Sequence, residues 1–312
     1  MIYDLIIIGA GPAGLTASIY ASRYQIKHLV IGAQLGGAMV WASQIENYPG
    51  FKKITGLELA NKIVKQTKEL GGEIKLTEVI KLTKLTKEIF SIKTSNNQVL
   101  QAKTLIIATG TKRQELRIPG EKEYLGRGVS YCTTCDAAFF KDKKVAVVGG
   151  ANAAAMGALH LAELAKKVYL IYRKKPLRAD PIWVERATKN QKIEIIYESN
   201  VVEILGDGNK VTGINLDKSY QNQDKISLNG VFIEIGGVPG TDLAKSLGIE
   251  MDEKGFVKVE PDISTNIPGV FAAGDITNLH GELQQIVTAC AEGATAAYNV
   301  YKYLQERNLR VK

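Results

Sequence analysis

Two cysteines separated by two residues, Cys132 and Cys135, are the side chains in this 312-residue chain best suited to chemistry of their own. A disulfide between them would close a loop too short to stabilise a fold, which favours a bond that forms and breaks over a structural one. Asp136 follows directly and supplies a carboxylate that can take up or return the proton that thiolate chemistry moves. The motif therefore predicts a reversible dithiol beside a proton carrier.

A pair of cysteines at this spacing is also half of a zinc site, which is the competing interpretation. Completing a tetrahedral site would need Cys290 and a histidine such as His280, because the sequence has no second closely spaced pair. With three cysteines in total, the chain also lacks the disulfide framework of a secreted protein. We therefore favour the redox interpretation and expect a reducing, cytoplasmic location.

Length and composition limit the class of protein further. A chain of 312 residues is long for one domain, so two domains are expected. A hydrophobic content of 45% with 30 glycines and 8 prolines is typical of an α/β protein with many tight turns. The net charge is +8, but the lysines are spread without a dense run, which indicates a basic surface and no nucleic-acid partner. Glycines and a proline interrupt the uncharged stretch 5–22, so we expect no membrane span.

A dinucleotide-binding motif opens the chain. Residues 4–8 form an apolar run typical of a buried parallel strand, and residues 15–24 form a helix. The turn between them consists of Gly9, Ala10, Gly11, Pro12, Ala13 and Gly14. Its glycines permit a sharp bend and let backbone amides approach a pyrophosphate at the start of the helix. An acidic ribose ligand is expected about twenty residues later, where the chain has Gly32. Asn47 is the polar side chain that we expect near this cofactor, although an ordinary turn asparagine is an equal alternative.

The same order of elements returns at residues 144–172. Here the turn consists of Gly149, Gly150, Ala151, Asn152, Ala153 and Ala154, so a methyl group replaces the middle glycine. Arg173, Lys174 and Arg178 follow the second strand of this repeat, where an acidic ribose ligand would otherwise stand. Cations at that place indicate a 2′-phosphate and predict NADPH over NADH, with a solvated basic loop as the alternative.

The end of the chain carries one more pattern. A buried strand ends in Gly274 and Asp275, and a helix is predicted over residues 284–304. The positive N-terminal end of such a helix would stabilise the anion of a reduced flavin. The two nucleotide motifs together predict one resident cofactor and one visiting nicotinamide.

With these segments assembled, the chain resembles the low-molecular-weight thioredoxin reductases, class II of the FAD-dependent pyridine nucleotide-disulfide oxidoreductases, over almost its full length. The resemblance implies an α/β fold of two Rossmann-like three-layer nucleotide-binding domains, the second inserted in the first. Residues 1–113 and 243–312 would then bind FAD, and residues 114–242 would bind NADPH and carry the redox cysteines. It also implies a homodimer. The motifs that carry the likeness, in order, are GAGPAG at 9–14, ENYPG at 46–50, ATG at 108–110, CTTCD at 132–136, YRKKPLR at 172–178 and GVFAAGD at 269–275.

The resemblance further implies a role for each matching residue. Cys135 would face the flavin, Cys132 would exchange with the disulfide of thioredoxin or a thioredoxin-like protein, and Asp136 would act as acid and base. The FAD contacts would be Gly9, Ala10, Gly11, Pro12, Ala13, Gly14, Asn47, Gly274, Asp275 and Gln285. The NADPH contacts would be Gly149, Gly150, Asn152, Ala153, Arg173, Lys174 and Arg178.

Departures from the family pattern leave the electron donor open. The chain has GGANAA where GGGDSA is usual, and Tyr172 begins a segment in which the family usually has a histidine followed by two arginines. Ferredoxin or a reduced deazaflavin is therefore the alternative donor to NADPH. A flavoprotein like ferredoxin-NADP reductase is disfavoured because its relatives lack the cysteine pair. A binding protein stabilised by zinc or FAD is the non-enzymatic alternative.

Overall fold

The computed structural model describes residues 2–281 and 283–308 and divides the chain into two compact units. The first unit contains the residues up to Val40, Ile45–Lys112 and the residues from Val238 onward. The second unit contains Trp41–Gln44 and Arg113–Gly237. The second unit is thus inserted into the first along the chain.

The strands and helices follow each other in the order that two nucleotide-binding folds require. In chain order the strands are β1 (Ile2–Ile8), β2 (His28–Gly32), β3 (Glu73–Leu76), β4 (Val79–Lys84), β5 (Phe90–Thr94), β6 (Val99–Ile107), β7 (Thr111–Arg113), β8 (Val129–Ser130), β9 (Lys144–Val148), β10 (Lys167–Tyr172), β11 (Ile193–Tyr197), β12 (Val201–Gly206), β13 (Val211–Tyr220), β14 (Gln223–Ser227), β15 (Gly230–Ile233), β16 (Gly237–Pro239) and β17 (Val270–Ala272). The helices are α1 (Pro12–Arg23), α2 (Gly56–Glu69), α3 (Thr133–Asp136), α4 (Asn152–Leu164), α5 (Pro181–Lys189), α6 (Asp242–Ser246) and α7 (Ile286–Glu306), with short 3₁₀ turns at Gly37–Trp41 and Ala137–Phe140.

The first unit is built around a sheet with the strand order β3-β2-β1-β6-β5-β4, to which β17 adds beside β6. Strand β1 pairs in parallel with β2 and β6, so it lies in the middle and both of its faces are covered. Leu5 and Ile7 pack on the side of α1 and α7, and Ile6 and Ile8 pack on the opposite side against residues such as Phe90. This is why residues 5–8 of β1 are all apolar.

The second unit repeats this plan with the parallel order β11-β10-β9-β15-β8. Val145 and Val147 of β9 pack against α4. Ala146 and Val148 of the same strand pack against the antiparallel sheet β12-β13-β14, which forms the third layer. The predicted fold class, α/β with two Rossmann-like nucleotide-binding folds, is confirmed.

The helix boundaries differ from the prediction by a few residues: α1 begins three residues earlier than predicted, and α7 begins two residues later. Helix α1 starts at Pro12, a residue whose fixed φ suits the first helical position, and α4 starts at Asn152. The short helix α3 and the helix α5 were not predicted. Within the described residues no helix is both long and apolar enough to span a lipid bilayer.

Candidate active site and nucleotide-binding turns

Cys132 and Cys135 form a disulfide bond on the short helix α3 in the second unit. Cys132 caps the helix, and the backbone N–H of Cys135 donates a hydrogen bond to its Sγ atom at 3.1 Å. The backbone N–H of Cys132 in turn donates to the hydroxyl of Ser130 at 2.9 Å. Cys135 is exposed and Cys132 is partly buried. The segment is therefore short but fixed at both ends by hydrogen bonds.

A cavity of about 350 Å³ in the second unit opens beside Cys132. Asp136 lines this cavity together with Cys132, which puts the predicted proton carrier on the same space as one of the sulfurs. The guanidinium of Arg113 lies over the ring of Trp41, 4.2 Å from the ring centroid, and both residues also line the cavity. A cationic and an aromatic group therefore line the same cavity as Cys132 and Asp136.

Two carboxylates that the sequence analysis missed support the redox helix. Glu121 is fully buried and accepts a hydrogen bond of 2.6 Å from the hydroxyl of Tyr131. Tyr131 directly precedes Cys132 in the chain. Burial and the neighbouring Glu121 raise the pKa of Tyr131. Glu234 follows β15 directly and accepts a hydrogen bond from the backbone N–H of Thr133, the first residue of α3.

Only one of these carboxylates left a signal in the sequence. Glu234 stands in the apolar run 231–235, where a carboxylate is unusual enough to be singled out. Glu121 lies in a polar loop whose sequence does not distinguish it from an exposed residue. Its role follows from the backbone N–H groups of Leu116 and Arg117, which donate to it at 2.8 and 2.6 Å.

The predicted turn in the first unit has the geometry of a phosphate-binding loop. Gly9 has a φ of +120°, and a Cβ there would lie 2.0 Å from the carbonyl oxygen of Ala108. A Cβ on Gly14 would lie 1.8 Å from the carbonyl oxygen of Gly9. At Gly11, by contrast, the nearest atom to an added Cβ is 3.8 Å away. Two glycines are thus required by the fold, and the middle one leaves open space above the turn.

The start of α1 is also suited to an anion. No side chain caps this helix, whose N-cap residue is Gly11. Helix α2 differs, because Thr55 and Glu58 form a capping box at its start. The backbone N–H groups in the first turn of α1 therefore have no side-chain acceptor at the cap, and a phosphate could accept their hydrogen bonds.

The other predicted FAD residues meet around this turn. The Nδ2 atom of Asn47 donates a hydrogen bond to Oε1 of Gln285 at 2.9 Å, across 238 residues of sequence. A Cβ on Gly274, which has a φ of +84°, would lie 3.0 Å from the Cβ of Ala13. Asp275 follows, and burial together with the charge of Glu292 raises its pKa to about 6. The structure thus brings four separate segments of the first unit together.

Glu292 is a further residue that the sequence analysis did not find. Its side chain is 4% exposed, and Oε2 accepts the backbone N–H of Gly274 and the hydroxyl of Thr277, both at 2.8 Å. The Nε2 atom of His280, the histidine named above as a possible zinc ligand, lies 3.6 Å from Oε1 of the same carboxylate. Burial raises the pKa of Glu292, and its hydrogen bonds and His280 oppose the increase. The segment that carries Asp275 is therefore held by a buried carboxylate.

The structure explains why no acidic ribose ligand stands at Gly32. A Cβ at this position would lie 2.7 Å from the backbone nitrogen of Ala10, so a side chain has no room there. Cys290, named above as a possible zinc ligand, is partly buried with its Sγ atom 4.0 Å from the carbonyl oxygen of Pro12. The hydroxyl of Tyr48 lies 3.8 Å from the same sulfur.

The turn in the second unit is more crowded. A Cβ on Gly149, which has a φ of +148°, would lie 2.1 Å from the carbonyl oxygen of Glu234. A Cβ on Gly150 would lie 2.2 Å from the ring of Tyr172. The side chain of Asn152 exchanges two hydrogen bonds with Asp180, at 2.7 and 3.0 Å. Ala151 is the N-cap of α4, which has no side-chain cap either.

The predicted cations lie on the loop that leaves β10. Arg173, Lys174 and Arg178 are all exposed. The backbone N–H of Arg178 donates to the carbonyl oxygen of Gly150 at 2.7 Å, which ties this loop to the turn. Ala153 lies in the first turn of α4, beside the same turn. The residues expected at the nucleotide thus share one end of the sheet in the second unit.

Comparison with known proteins identifies the family. The family model described as pyridine nucleotide-disulphide oxidoreductase matches residues 3–293. The chain belongs to this family. The thioredoxin reductase of Listeria innocua is 41% identical over 307 residues, which cover 98% of this chain and 95% of that protein. The resemblance to thioredoxin reductases noted in the sequence is confirmed, and this pyridine nucleotide-disulphide oxidoreductase is an enzyme of the thioredoxin reductase type with a redox disulfide.

Solved structures of the family agree with this assignment. The thioredoxin reductase of Lactococcus lactis has a TM-score of 0.93 and 38% identity, covering 97% of this chain and 99% of that one. A ferredoxin-flavin thioredoxin reductase of Clostridium acetobutylicum has a TM-score of 0.55 and 32% identity, covering 99% and 100% of the two chains. The family thus includes a member whose name gives ferredoxin, so membership alone does not fix the electron donor.

Proposed function

We propose that the chain reduces the disulfide of thioredoxin or a thioredoxin-like protein, with NADPH as electron donor and FAD as resident cofactor. The observation that carries the proposal is the Cys132–Cys135 disulfide, with one exposed residue and a carboxylate, Asp136, next to it. When bound, FAD supplies the chemistry that turns a hydride from nicotinamide into two electrons for a disulfide. The remaining steps belong to the chain's own residues.

The exchange with the partner starts from the reduced pair. The thiolate of Cys132 attacks one sulfur of the partner's disulfide, and the other partner sulfur leaves as a thiolate and takes a proton. The thiolate of Cys135 then attacks the sulfur of Cys132, which frees the partner as a dithiol and restores the internal disulfide. The hydrogen bond from the Cys135 N–H to the Sγ atom of Cys132 supports Cys132 as the attacking thiolate, because a donor stabilises the charged form. Asp136 is the proposed proton carrier.

The surface beside the disulfide suits a protein partner. Phe139 is 70% exposed and lies three residues after Asp136. An exposed aromatic ring next to an exposed redox residue provides apolar contact area that a partner would cover.

From the family resemblance we also propose a homodimer, which sedimentation of the purified protein would test.

The first unit fits FAD. The open space at Gly11 and the uncapped start of α1 would receive the pyrophosphate. Gly9, Gly14, Ala10, Pro12 and Ala13 shape that turn, and Asn47, Gln285, Gly274 and Asp275 would contact the remainder of the cofactor. The amide pair of Asn47 and Gln285 keeps each side chain in a defined orientation.

The second unit supports NADPH through its charge. Arg173, Lys174 and Arg178 are exposed cations beside the turn and would bind a 2′-phosphate. Gly149, Gly150, Asn152 and Ala153 would form the rest of this site.

A second candidate, with ferredoxin or a reduced deazaflavin as donor, has its own support. The methyl group of Ala151 stands at the middle position of the turn, and the Asn152 side chain is already bonded to Asp180.

An anaerobic titration of the purified, flavin-containing protein decides between these donors. NADPH and NADH are added separately, and the flavin absorbance is followed. We expect rapid bleaching by NADPH alone. The double substitution Arg173→Ala and Lys174→Ala should raise the NADPH concentration needed by about tenfold or more. Lys189→Ala, which removes an exposed lysine of α5 in the same unit, is the matched control.

Two outcomes would contradict the proposal in different ways. If neither nucleotide bleaches a flavin that dithionite still reduces, the donor is wrong and ferredoxin becomes the candidate. If the flavin is bleached but thioredoxin is not reduced, the partner is wrong. Cys132→Ser should abolish thioredoxin reduction while leaving the NADPH titration intact.

A further inference from the structure

Glu234 occupies a position that links the nucleotide turn and the redox helix of the second unit. Its backbone carbonyl backs the turn at Gly149, 2.1 Å from where a Cβ would lie. Its carboxylate accepts the backbone N–H of Thr133, the residue that follows Cys132. The side chain is partly buried. One residue thus contacts both the turn and the first peptide of α3.

Burial leaves the carboxylate of Glu234 poorly stabilised. Burial raises its pKa to about 7, and the guanidinium of Arg113 and the Thr133 N–H only partly oppose this. The hydroxyl of Tyr131 is bonded to Glu121, and Asp136 lies on the cavity that Cys132 also lines. A carboxyl group with a pKa of about 7 exchanges its proton near neutral pH.

We propose that Glu234 is a positioning residue for the redox disulfide, which fixes the first peptide of α3 and takes up a proton when the Cys132–Cys135 bond is reduced. The inference rests on the redox activity of this pair and is independent of the electron donor and of the partner. It concerns a residue that does not touch the reacting sulfurs but acts through Thr133.

The coupling follows from the charge that reduction creates. Two electrons break the Sγ–Sγ bond, and the two sulfurs then carry two negative charges or bind up to two protons. Where one sulfur remains a thiolate, its charge raises the pKa of a nearby carboxyl group, so Glu234 binds a proton from solvent. When two electrons pass on and the disulfide forms again, this proton is released.

The protonation of Glu234 makes the reduction of the disulfide depend on pH. Well below its pKa of about 7, Glu234 is protonated in both redox states and has no effect on the equilibrium. Above pH 7 it is ionised only in the disulfide form, so reduction needs one more proton. For each pH unit, this extra proton lowers the equilibrium constant for reduction by up to a further factor of about ten. This factor corresponds to about 30 mV in the reduction potential of a two-electron couple.

The test is an equilibrium measurement on the holoenzyme. The protein is equilibrated anaerobically with mixtures of reduced and oxidised dithiothreitol from pH 6 to 8.5, and the free thiols of Cys132 and Cys135 are alkylated and counted by mass spectrometry. Glu234→Gln retains an oxygen acceptor for Thr133 and removes the charge. We expect this variant to match the wild type at pH 6 and to be about five- to tenfold easier to reduce at pH 8.

Two further variants separate charge from position. Glu203→Gln removes another partly buried carboxylate of the second unit, one bonded to Asn215, and should behave as the wild type. Glu234→Ala removes both the charge and the acceptor. It should increase hydrogen exchange at the Thr133 amide by about tenfold or more, whereas Glu234→Gln should not.

The results that would overturn the inference are equally specific. The proton linkage is refuted if the equilibrium constants for reduction of Glu234→Gln and of the wild type have the same ratio at pH 6 and at pH 8. The positioning role is refuted if hydrogen exchange at the Thr133 amide is unchanged in Glu234→Ala. If the variants fail to fold, the wild type still decides. A potential that steepens with pH near 7 requires a group with that pKa in the disulfide form, and a constant or flattening slope contradicts the proposal.

Discussion

The turn after β1 and the turn after β9 share one pattern of backbone hydrogen bonds but carry different side chains. In the first, Gly9 donates to Ile31 at 2.7 Å and Ala108 donates to Ile8 at 2.7 Å. In the second, Gly149 donates to Ile171 at 2.9 Å and Glu234 donates to Val148 at 2.8 Å. The hydrogen bonds are equivalent pair by pair. The backbone geometry is therefore set by the fold.

The differences lie where side chains meet ligands. The middle turn position is Gly11 in the first unit and Ala151 in the second, so only the first leaves this space free of a methyl group. The residue after the neighbouring strand is Ala108 in the first unit and Glu234 in the second. Ala108 has no polar side-chain atom, whereas the carboxylate of Glu234 accepts a hydrogen bond from the backbone of α3. We infer that the first turn serves one resident cofactor and that the second is shared with the disulfide.

The largest effects should come from the glycine that begins each turn. Gly9→Ala and Gly149→Ala both place a methyl group about 2 Å from a carbonyl oxygen at a positive φ. Each should lower the free energy of unfolding by about 3 to 5 kcal/mol, measured by urea titration. Gly50→Ala is the control, because Gly50 has a φ of +99° with no atom within 4 Å of an added Cβ. It should cost only about 1 kcal/mol.

A markedly smaller loss at one of the two glycines would break the comparison. It would mean that the backbone plan is held more loosely in that unit than the matching hydrogen bonds indicate.

The second largest effect on the free energy of unfolding is expected at Asp275 in the first unit. Its pKa in the fold, about 6, exceeds the value of about 3.9 in an unfolded chain. Ionisation therefore destabilises the fold as the pH rises from about 4 to 6. Asp275→Asn avoids this cost and should stabilise the FAD-free protein by up to about 3 kcal/mol at pH 7.5. Urea unfolding at several pH values measures the difference, which should shrink as the pH falls towards 4.

The exposed Glu253 provides the control for this measurement. Glu253→Gln should change stability little at any pH. A stabilisation by Asp275→Asn that is constant with pH would show that the ionisation of Asp275 is not the cause.

The sequence predicted most of what the two regions share. The apolar runs of β1 and β9, the glycine turns and the following helices are encoded by neighbouring residues, because strand burial and turn geometry are local properties. The disulfide pair could be named for the same reason. Gly32 was noticed as an exception, but its reason, contact with Ala10, required the fold.

The supporting carboxylates could not be predicted because their partners are distant in sequence. Glu234 follows β15 and Thr133 begins α3, about 100 residues earlier in the chain, and Glu292 reaches Gly274 from the next helix. Asn47 and Gln285 were each expected near FAD from the family resemblance, but their hydrogen bond joins residues 238 positions apart. Such pairs depend on packing, which composition and periodicity do not contain.

The middle position of the first turn should give an intermediate effect. Gly11→Ala adds a methyl group where the structure has room for it, so the fold should tolerate the change. The proposed pyrophosphate would lose that space, and the dissociation constant of FAD should rise by about tenfold. Flavin fluorescence during dialysis measures the release. Unchanged FAD affinity in a normally folded variant would remove Gly11 from the proposed site.

The smallest effect is expected from the reverse change in the second turn. Ala151→Gly removes the methyl group at the start of α4 and should tighten NADPH binding by about three- to fivefold, because the backbone can then approach the pyrophosphate. Part of the gain is offset, since glycine is more flexible than alanine in the unbound turn. The anaerobic flavin titration measures it, with Lys189→Gly at an exposed position of α5, outside the proposed site, as the control. If only Ala151→Gly tightens NADPH binding, the methyl group of Ala151 is the main difference between the two turns. If neither variant tightens it, Glu234 is the main difference.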